Sequence, residues 1–222
     1  MKKLLTSLFI LVSLISLTSC KEKEQDNRPT FTVGMECAYA PFNWTENEKF
    51  ACGLKAVADQ ICAAGFLPGI WMAPVAVKPD TPIFQEHPEW FYHKEDGSFG
   101  NRVGDWSDII DLDYSNRELW DYQIETLKFW AGIVDGFRCD VAPLIPLEFW
   151  LKAREEVETV REGCIWLSES VEPGFITYMR GRGMTALSDS EIFQAFDMAY
   201  DYDVYGAMKA YLDGSGSLEA YA

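Results

Sequence analysis

The chain has 222 residues, a formal net charge of −16 and 14% aromatic residues, among them eight Trp. This strongly acidic balance argues against binding to nucleic acid or lying on an anionic lipid surface, whereas a neutral ligand is compatible with it. No internal repeat or low-complexity segment is evident, and the length allows one sizeable core.

The first 20 residues have the pattern of a secretory leader. Lys2 and Lys3 form a positive start, residues 4–17 are mainly apolar, and Cys20 follows Leu17-Thr-Ser. This end resembles a bacterial lipoprotein signal, in which Cys20 would be lipidated and become the first mature residue. The resemblance implies an envelope protein that is lipid-anchored and faces the periplasm or the cell surface. An ordinary secretory signal with an incidental cysteine is the alternative.

Residues 21–30 are charged and lack large apolar side chains, so they predict a flexible tether rather than folded structure. Residues 31–222 would then form the folded domain. Its predicted elements, in chain order, are a strand and loop in 30–44, a helix in 53–64, a strand in 66–74, a long loop in 77–113, a helix in 116–131 capped by Ser115, a strand in 133–141, a helix in 147–160, a strand in 164–170, a short helix in 173–180, a strand in 185–187 and a helix in 204–212.

The alternation of strands and helices favours an α/β fold, with a parallel sheet and helical crossovers. Four or five strands are predicted. About 190 residues follow the tether, fewer than the ~250 typical of a complete (β/α)8 barrel. The expected architecture is therefore a TIM-barrel type of fold that is incomplete, with four or five βα units.

Charged residues mark the strand that ends near Val141. Side chains alternate along a strand, so Arg138 and Asp140 share one face, while Phe137 and Cys139 share the face that packs against helices. Arg138 would keep Asp140 ionised at neutral pH. An ionised, oriented carboxylate is what covalent catalysis needs as a nucleophile. A purely structural Arg–Asp pair is an equal alternative at this stage.

A second carboxyl group, that of Glu169, closes the next predicted strand, after Ile165, Trp166 and Leu167. An apolar setting can raise the pKa of a glutamate so that it serves as a general acid and then as a base. An exposed strand-terminal glutamate is the simpler alternative. With one βα unit between them, Asp140 and Glu169 could approach to the ~5 Å found in retaining glycosidases.

Several segments resemble the α-amylase superfamily of glycoside hydrolases. They are Asp105-Trp-Ser-Asp-Ile-Ile-Asp-Leu-Asp-Tyr-Ser-Asn116, Val134-Asp-Gly-Phe-Arg-Cys-Asp-Val-Ala142, Pro146-Leu-Glu-Phe-Trp150, Trp166-Leu-Ser-Glu169 and Phe196-Asp-Met-Ala-Tyr-Asp-Tyr202. Over residues 99–205 the resemblance implies a TIM barrel, retaining hydrolysis of α-linked glucans or oligosaccharides, Asp140 as nucleophile, Arg138 as its charge partner and Glu169 as acid/base. Trp106, in the first segment, is expected to bind substrate.

Two motifs of that superfamily are absent. The predicted third-strand region, Gly69-Ile-Trp-Met-Ala-Pro-Val-Ala-Val77, carries no Asn-His pair, and no His-Asp pair supplies a third carboxylate. Residues 53–97 instead resemble the α-galactosidase (melibiase) group. That resemblance implies that Trp71 lies at the sugar-facing end of a strand, and that His87 and Trp90 of His87-Pro-Glu-Trp90 also bind substrate.

Residues 31–45 resemble the first strand of extracellular solute-binding proteins for polar amino acids. Three resemblances in succession predict a mosaic chain, fused, truncated or artificial, with joins near residues 50 and 98. The alternative function is therefore a surface lipoprotein that binds sugars or amino acids without catalysis. A non-functional fragment, whose uncovered edges would favour aggregation or oligomerisation, is the third interpretation.

No cofactor is predicted. The acidic segment 189–203 could supply oxygen ligands to calcium, but it lacks EF-hand spacing, and a solvated acidic loop is the favoured interpretation.

Overall fold

The computed structural model describes residues 54–104, 106–217 and 219, together with the backbone of three short strands between residues 38 and 52. All the described residues belong to one compact unit, Val33–Ala222. The leader with Cys20, the tether 21–30 and most of the segment 31–45 lie outside the described residues.

The first described strands form an antiparallel three-stranded sheet: β1 (Ala38–Tyr39), β2 (Asn43–Glu46) and β3 (Lys49–Cys52). The following elements are α1 (Leu54–Ala63), β4 (Gly69–Met72), β5 (Ala76–Val77), α2 (Pro82–Glu86), a 3-10 turn (Pro88–Trp90), β6 (Ile110–Asp111), α3 (Arg117–Ala131), β7 (Gly136–Cys139), a second 3-10 turn (Ala142–Leu144), α4 (Leu147–Glu158), β8 (Ile165–Ser168), α5 (Pro173–Gly181), α6 (Asp189–Ile192), β9 (Met198–Ala199) and α7 (Tyr202–Leu212). Within this described part, none of the helices is long and apolar enough to cross a membrane.

A four-stranded parallel sheet in the order β4-β7-β8-β9 organises the domain. Helix α3 precedes β7, α4 connects β7 to β8, and α5 and α6 lie between β8 and β9. A parallel sheet built from such crossovers is a wall of a (β/α) barrel. The predicted fold class, an incomplete barrel of four or five βα units, is therefore confirmed.

The two faces of the sheet differ as the sequence alternation predicts. Phe137, Cys139 and Trp166 are buried on the outer face, whereas Arg138 and Leu167 point to the inner one and are only partly buried. The outer core is aromatic: Trp150 of α4 lies 6.3 Å from Trp166, ring centroid to ring centroid, with the two planes steeply inclined. This dense packing fixes the strands from behind, and so fixes the side chains on the inner face.

Residues 77–113, predicted as a loop, contain ordered structure. Strands β5 and β6 pair antiparallel, and Phe91 and His93 form bridges with Leu112 and Phe99. Phe84 packs against Phe91 and Phe99 with ring centroids 5.0 and 4.8 Å apart. The sequence did not reveal this small core because its strands are only two residues long, too short to show a period.

The start of α3 differs from the prediction by one residue. Asn116, not Ser115, is the N-cap, and its side chain accepts a hydrogen bond from the Glu118 N–H at 2.9 Å. The N–H of Ser115 instead donates to the Asp113 carboxylate at 3.0 Å.

The strand predicted at 185–187 does not form. The Leu187 N–H donates to the Pro143 carbonyl at 2.8 Å, outside the sheet. The fourth strand is β9, whose two residues pair with Leu167 and Ser168 of β8. A strand of two residues forms because it pairs with the neighbouring strand, and its own composition does not predict it.

A matched pair of glycines tests the packing of the sheet. Gly69 and Gly136 lie opposite each other in β4 and β7. A Cβ at Gly136 would lie 2.8 Å from the Ile165 carbonyl oxygen, whereas one at Gly69 would meet nothing closer than 3.6 Å. Gly136→Ala should lower the free energy of unfolding by about 1–3 kcal/mol, and Gly69→Ala should change it by less than ~1 kcal/mol. Urea unfolding of both variants measures this difference, and equal effects would contradict the close strand approach.

Candidate active site

Asp140 and Glu169 directly follow β7 and β8, at the same edge of the parallel sheet. Cys139 and Ser168 are register partners. The ladder continues one residue further, because the Asp140 N–H donates to the Met72 carbonyl at 2.9 Å and the Glu169 N–H to the Cys139 carbonyl at 3.0 Å. Both carboxyl groups are therefore anchored side by side at the C-terminal edge of the strands, where barrel enzymes build their sites.

One guanidinium group joins the two carboxyl groups. Nη1 of Arg138 pairs with Oδ1 of Asp140, and Nη2 lies 2.6 Å from Oε1 of Glu169. All three side chains are about one fifth to one quarter exposed. Partly buried charges of this kind persist when each has a partner, as here.

The pKa of Glu169 is raised above its ordinary value of 4.5. Burial is the largest cause, and a hydrogen bond shared with the Asp140 carboxyl group adds to it. The Val141 N–H, which donates to Oε2 of Glu169 at 3.0 Å, and the Arg138 charge offset only part of this effect. The shift has the direction predicted for a general acid.

Two aromatic side chains flank the guanidinium. Cζ of Arg138 lies 4.6 Å from the ring centroid of Trp71 and 5.4 Å from that of Tyr200. The Trp71 indole N–H donates to Oδ1 of Asp140 at 3.1 Å. Nε of Arg138 donates to the Tyr200 hydroxyl at 3.4 Å. Burial acts to lower the pKa of Arg138, but hydrogen bonds to Tyr200 and Asp140 and the charges of both carboxylates raise it further. The guanidinium therefore stays protonated.

A cavity of about 410 Å³ opens beside the paired carboxyl groups. Asp140, Val141 and Glu169 form one wall, and Trp106 and Asp108 contribute from the segment that precedes α3. This volume falls within the range of ~300–1,000 Å³ that small-molecule sites occupy.

Of the predicted substrate-binding residues, the structure brings Trp71 and Trp106 to this region but not His87 or Trp90. The Trp90 side chain is only 5% exposed, and its ring stacks on His87 at 3.8 Å between centroids. Nδ1 of His87 lies 3.0 Å from the Glu89 carboxylate. Trp90 is thus buried in the core and does not line the cavity, and its role in substrate binding stays a prediction. The His87 ring stacks on Trp90 and does not line the cavity.

Sequence reasoning missed Tyr200 and Val141. The Tyr200 N–H donates to the Ser168 carbonyl at 3.1 Å, so Tyr200 follows β9 as Asp140 follows β7 and Glu169 follows β8. The rule that strand ends carry the site would have identified Tyr200 had β9 been placed correctly. No signal in the sequence marks Val141, whose role depends on its backbone.

The acidic segment 189–203 does not form a metal site where it is described. Glu191 is engaged by Ser188 and Arg180, and Asp197 by Arg154 and the Trp166 N–H. Among the described residues, no group of three or more His, Cys, Asp or Glu side chains could hold a metal ion.

The parallel sheet with its helical crossovers is a partial barrel of the kind that the α-amylase resemblance implied, and the bridged carboxyl pair lies at its strand ends. A family profile described as Melibiase matches residues 41–133. An α-amylase structure from Lactobacillus plantarum is 51% identical, with a TM-score of 0.71, over 75% of this chain and 40% of that one. A maltogenic α-amylase, AmyB, from Thermotoga neapolitana is 36% identical, with a TM-score of 0.59, over 76% of this chain and 36% of its own.

A curated relative, the alpha-1,4-glucan:maltose-1-phosphate maltosyltransferase of Picrophilus torridus, is 29% identical over 140 residues, which are 56% of this chain and 22% of that protein. The chain thus spans about a fifth of this curated relative and about two fifths of the solved α-amylases. These matches support a relationship to the α-amylase and α-galactosidase glycoside hydrolases.

The comparisons also bear on the predicted mosaic. The Melibiase profile covers both expected joins, near residues 50 and 98. The L. plantarum structure matches three quarters of the chain, whereas the residues after 98 make up only about half of it. The match therefore crosses residue 98, and a join there is not supported. The solute-binding resemblance of residues 31–45 stays a prediction.

The raised pKa of Glu169 has a consequence for stability. The folded state binds the Glu169 proton more tightly than the unfolded chain does. Protonated Glu169 therefore stabilises the folded state fully below pH 4.5, and this stabilisation is lost as the pH rises through the folded-state pKa. The free energy of unfolding of the wild type should therefore fall over this interval relative to Glu169→Gln. Denaturant titrations from pH 4 upward measure it, with Glu155→Gln, an exposed glutamate in α4, as charge control. A constant difference between wild type and Glu169→Gln would contradict the shift.

Proposed function

We propose that this chain carries the catalytic pair of a retaining glycoside hydrolase that acts on α-linked glucans or oligosaccharides. The observation that carries the proposal is the bridge that the Arg138 guanidinium makes between Asp140 and Glu169, at adjacent strand ends beside a cavity. Asp140 is the nucleophile and Glu169 the acid/base.

In the first step Glu169 gives its proton to the glycosidic oxygen while a carboxylate oxygen of Asp140 attacks the anomeric carbon. The glycosidic C–O bond breaks, the leaving alcohol departs with the proton, and a glycosyl ester forms on Asp140. In the second step Glu169 takes a proton from water, whose oxygen attacks the anomeric carbon. The ester bond breaks, and both the sugar and the Asp140 carboxylate are regenerated.

The retaining course follows from the closeness of the pair. Inverting enzymes separate their carboxyl groups by roughly 6.5–9.5 Å to leave room for a water molecule. Here one guanidinium contacts both carboxyl groups, which directly follow neighbouring strands. A pair held together by one guanidinium supports direct attack by Asp140, which is the retaining route.

The substrate class is supported by the similarity to two α-amylases and to an alpha-1,4-glucan:maltose-1-phosphate maltosyltransferase. The same glycosyl ester would serve transfer if a sugar hydroxyl replaced water in the second step. Product analysis with and without a maltooligosaccharide acceptor separates hydrolysis from transfer.

Asp140→Asn should abolish hydrolysis of an aryl α-glucoside, with a loss in kcat on the order of 10³-fold or more, because no covalent intermediate can form. Release of the aryl group measures the rate. Asp121→Asn is the matched control, since that carboxylate is exposed on α3 and pairs with Lys152. Equal turnover by Asp140→Asn and wild type would refute the assignment. Binding of maltooligosaccharides or amino acids in calorimetry, without turnover by the wild type, would favour the non-catalytic binding protein.

The location of the protein is a further part of the proposal. Lys2, Lys3 and the apolar residues 4–17 before Cys20 support a lipid-anchored envelope protein. Expressed in bacteria, the wild type should fractionate with membranes and carry a lipid on Cys20, as detected by mass spectrometry of the mature N-terminus. Cys20→Ala should lose the lipid. An unmodified mature N-terminus at another residue would instead indicate an ordinary secretory signal.

A further inference from the structure

Val141, the residue after the proposed nucleophile, has an unusual backbone. Its φ and ψ are 45° and 37°, and among the described residues it alone has a positive φ without being glycine. The left-handed region disfavours L-residues generally and β-branched ones most, because Cβ crowds the neighbouring backbone. Such a conformation persists only where the surroundings enforce it.

The turn that follows Val141 is fixed by three separate hydrogen bonds. The Leu144 N–H donates to the Val141 carbonyl at 3.0 Å. The Trp150 indole N–H donates to the Ala142 carbonyl at 3.1 Å, and the Leu187 N–H to the Pro143 carbonyl at 2.8 Å. Trp150 is fully buried, so the aromatic core itself holds this turn in place.

The left-handed turn ends the ladder between β7 and β8 at a defined point. In a parallel ladder every second residue faces the same neighbouring strand, so the Val141 N–H, like that of Cys139, faces β8. A continued ladder would pair it with a backbone carbonyl. It donates instead to Oε2 of Glu169 at 3.0 Å, while Oε1 of the same carboxyl group faces Arg138.

We propose that Val141 is a positioning residue of this site, whose backbone N–H is a built-in partner for the ionised form of Glu169. The inference rests on the proposed function for the role of Glu169. That residue must be protonated in the first step and ionised in the second, when it takes a proton from water. Burial and Asp140 favour the first form, and the N–H favours the second. Val141 therefore supports the base half of the cycle.

Other charged groups also face Glu169. Arg138 lies on β7 and Asp140 directly follows it, while Asp108 lines the same cavity from the segment before α3. Arg138 acts in the same direction as the N–H, whereas Asp140 acts against it. A test must therefore remove the N–H alone and leave every charge in place.

The Val141 N–H can be removed alone by incorporating the α-hydroxy analogue of valine, which replaces the peptide amide by an ester. The titration midpoint of the Glu169 carboxyl group, followed by ¹³C NMR, should move to higher pH, and the alkaline limb of the kcat profile should move with it. The same analogue at Val160 is the matched control, because that N–H donates only to the Val157 carbonyl. Val141→Gly keeps the N–H and tolerates the left-handed backbone, so its midpoint should stay near that of the wild type.

An unchanged Glu169 midpoint in the Val141 ester would overturn the proposal. If the ester does not fold, the test is made on the wild type. The chemical shift of its Val141 amide proton should titrate with the midpoint of Glu169, and this titration should vanish in Glu169→Gln. An amide shift independent of Glu169 would also overturn it. These titrations need no turnover, so a chain without hydrolytic activity would refute the proposed function while leaving the positioning of Glu169 testable on its own.

Discussion

The Arg138 guanidinium is the charge on which the site depends. It meets both carboxyl groups through different nitrogens, and Trp71 and Tyr200 flank it on either side. Without this cation, two half-buried carboxylates at adjacent strand ends would repel each other, and one would have to stay protonated. With it, they can be held together while the pKa of Glu169 still remains raised. One residue thus holds two carboxyl groups together in the same small space.

The rigidity of this arrangement comes from the opposite face of the sheet. Strand alternation places Cys139 and Trp166 outward, where they are buried with Trp150 among the helices. Because the same short strands carry Arg138 inward and end in Asp140 and Glu169, packing on one face fixes chemistry on the other. The Trp150 indole extends this control past the strand end, since it bonds the turn that keeps Val141 left-handed.

The segment between β4 and α3 contributes the other side of the cavity. Its aromatic side chains Phe84, Phe91 and Phe99 pack together and join the same hydrophobic core as the sheet. Asp111 is buried beside Arg102. Burial raises the pKa of Asp111, and bonds from the Arg102 N–H and guanidinium limit the rise. Trp106 and Asp108 reach the cavity from this ordered excursion, which explains how so long a connection can present defined side chains to a site.

By itself the sequence determined the α/β class, the positions of β7, α4 and β8 to within a few residues, and the placement of Arg138, Asp140 and Glu169. These follow from local rules, namely strand alternation, helical periodicity and the convergence of parallel strand ends. Only the tertiary structure decided that β9 lies at 198–199, that Tyr200 rather than Trp90 joins the site, and that the Val141 N–H meets Glu169. A two-residue strand leaves no periodic signal, the burial of an aromatic ring depends on distant partners, and a left-handed valine is stable only because the packed core around Trp150 and Leu187 enforces it.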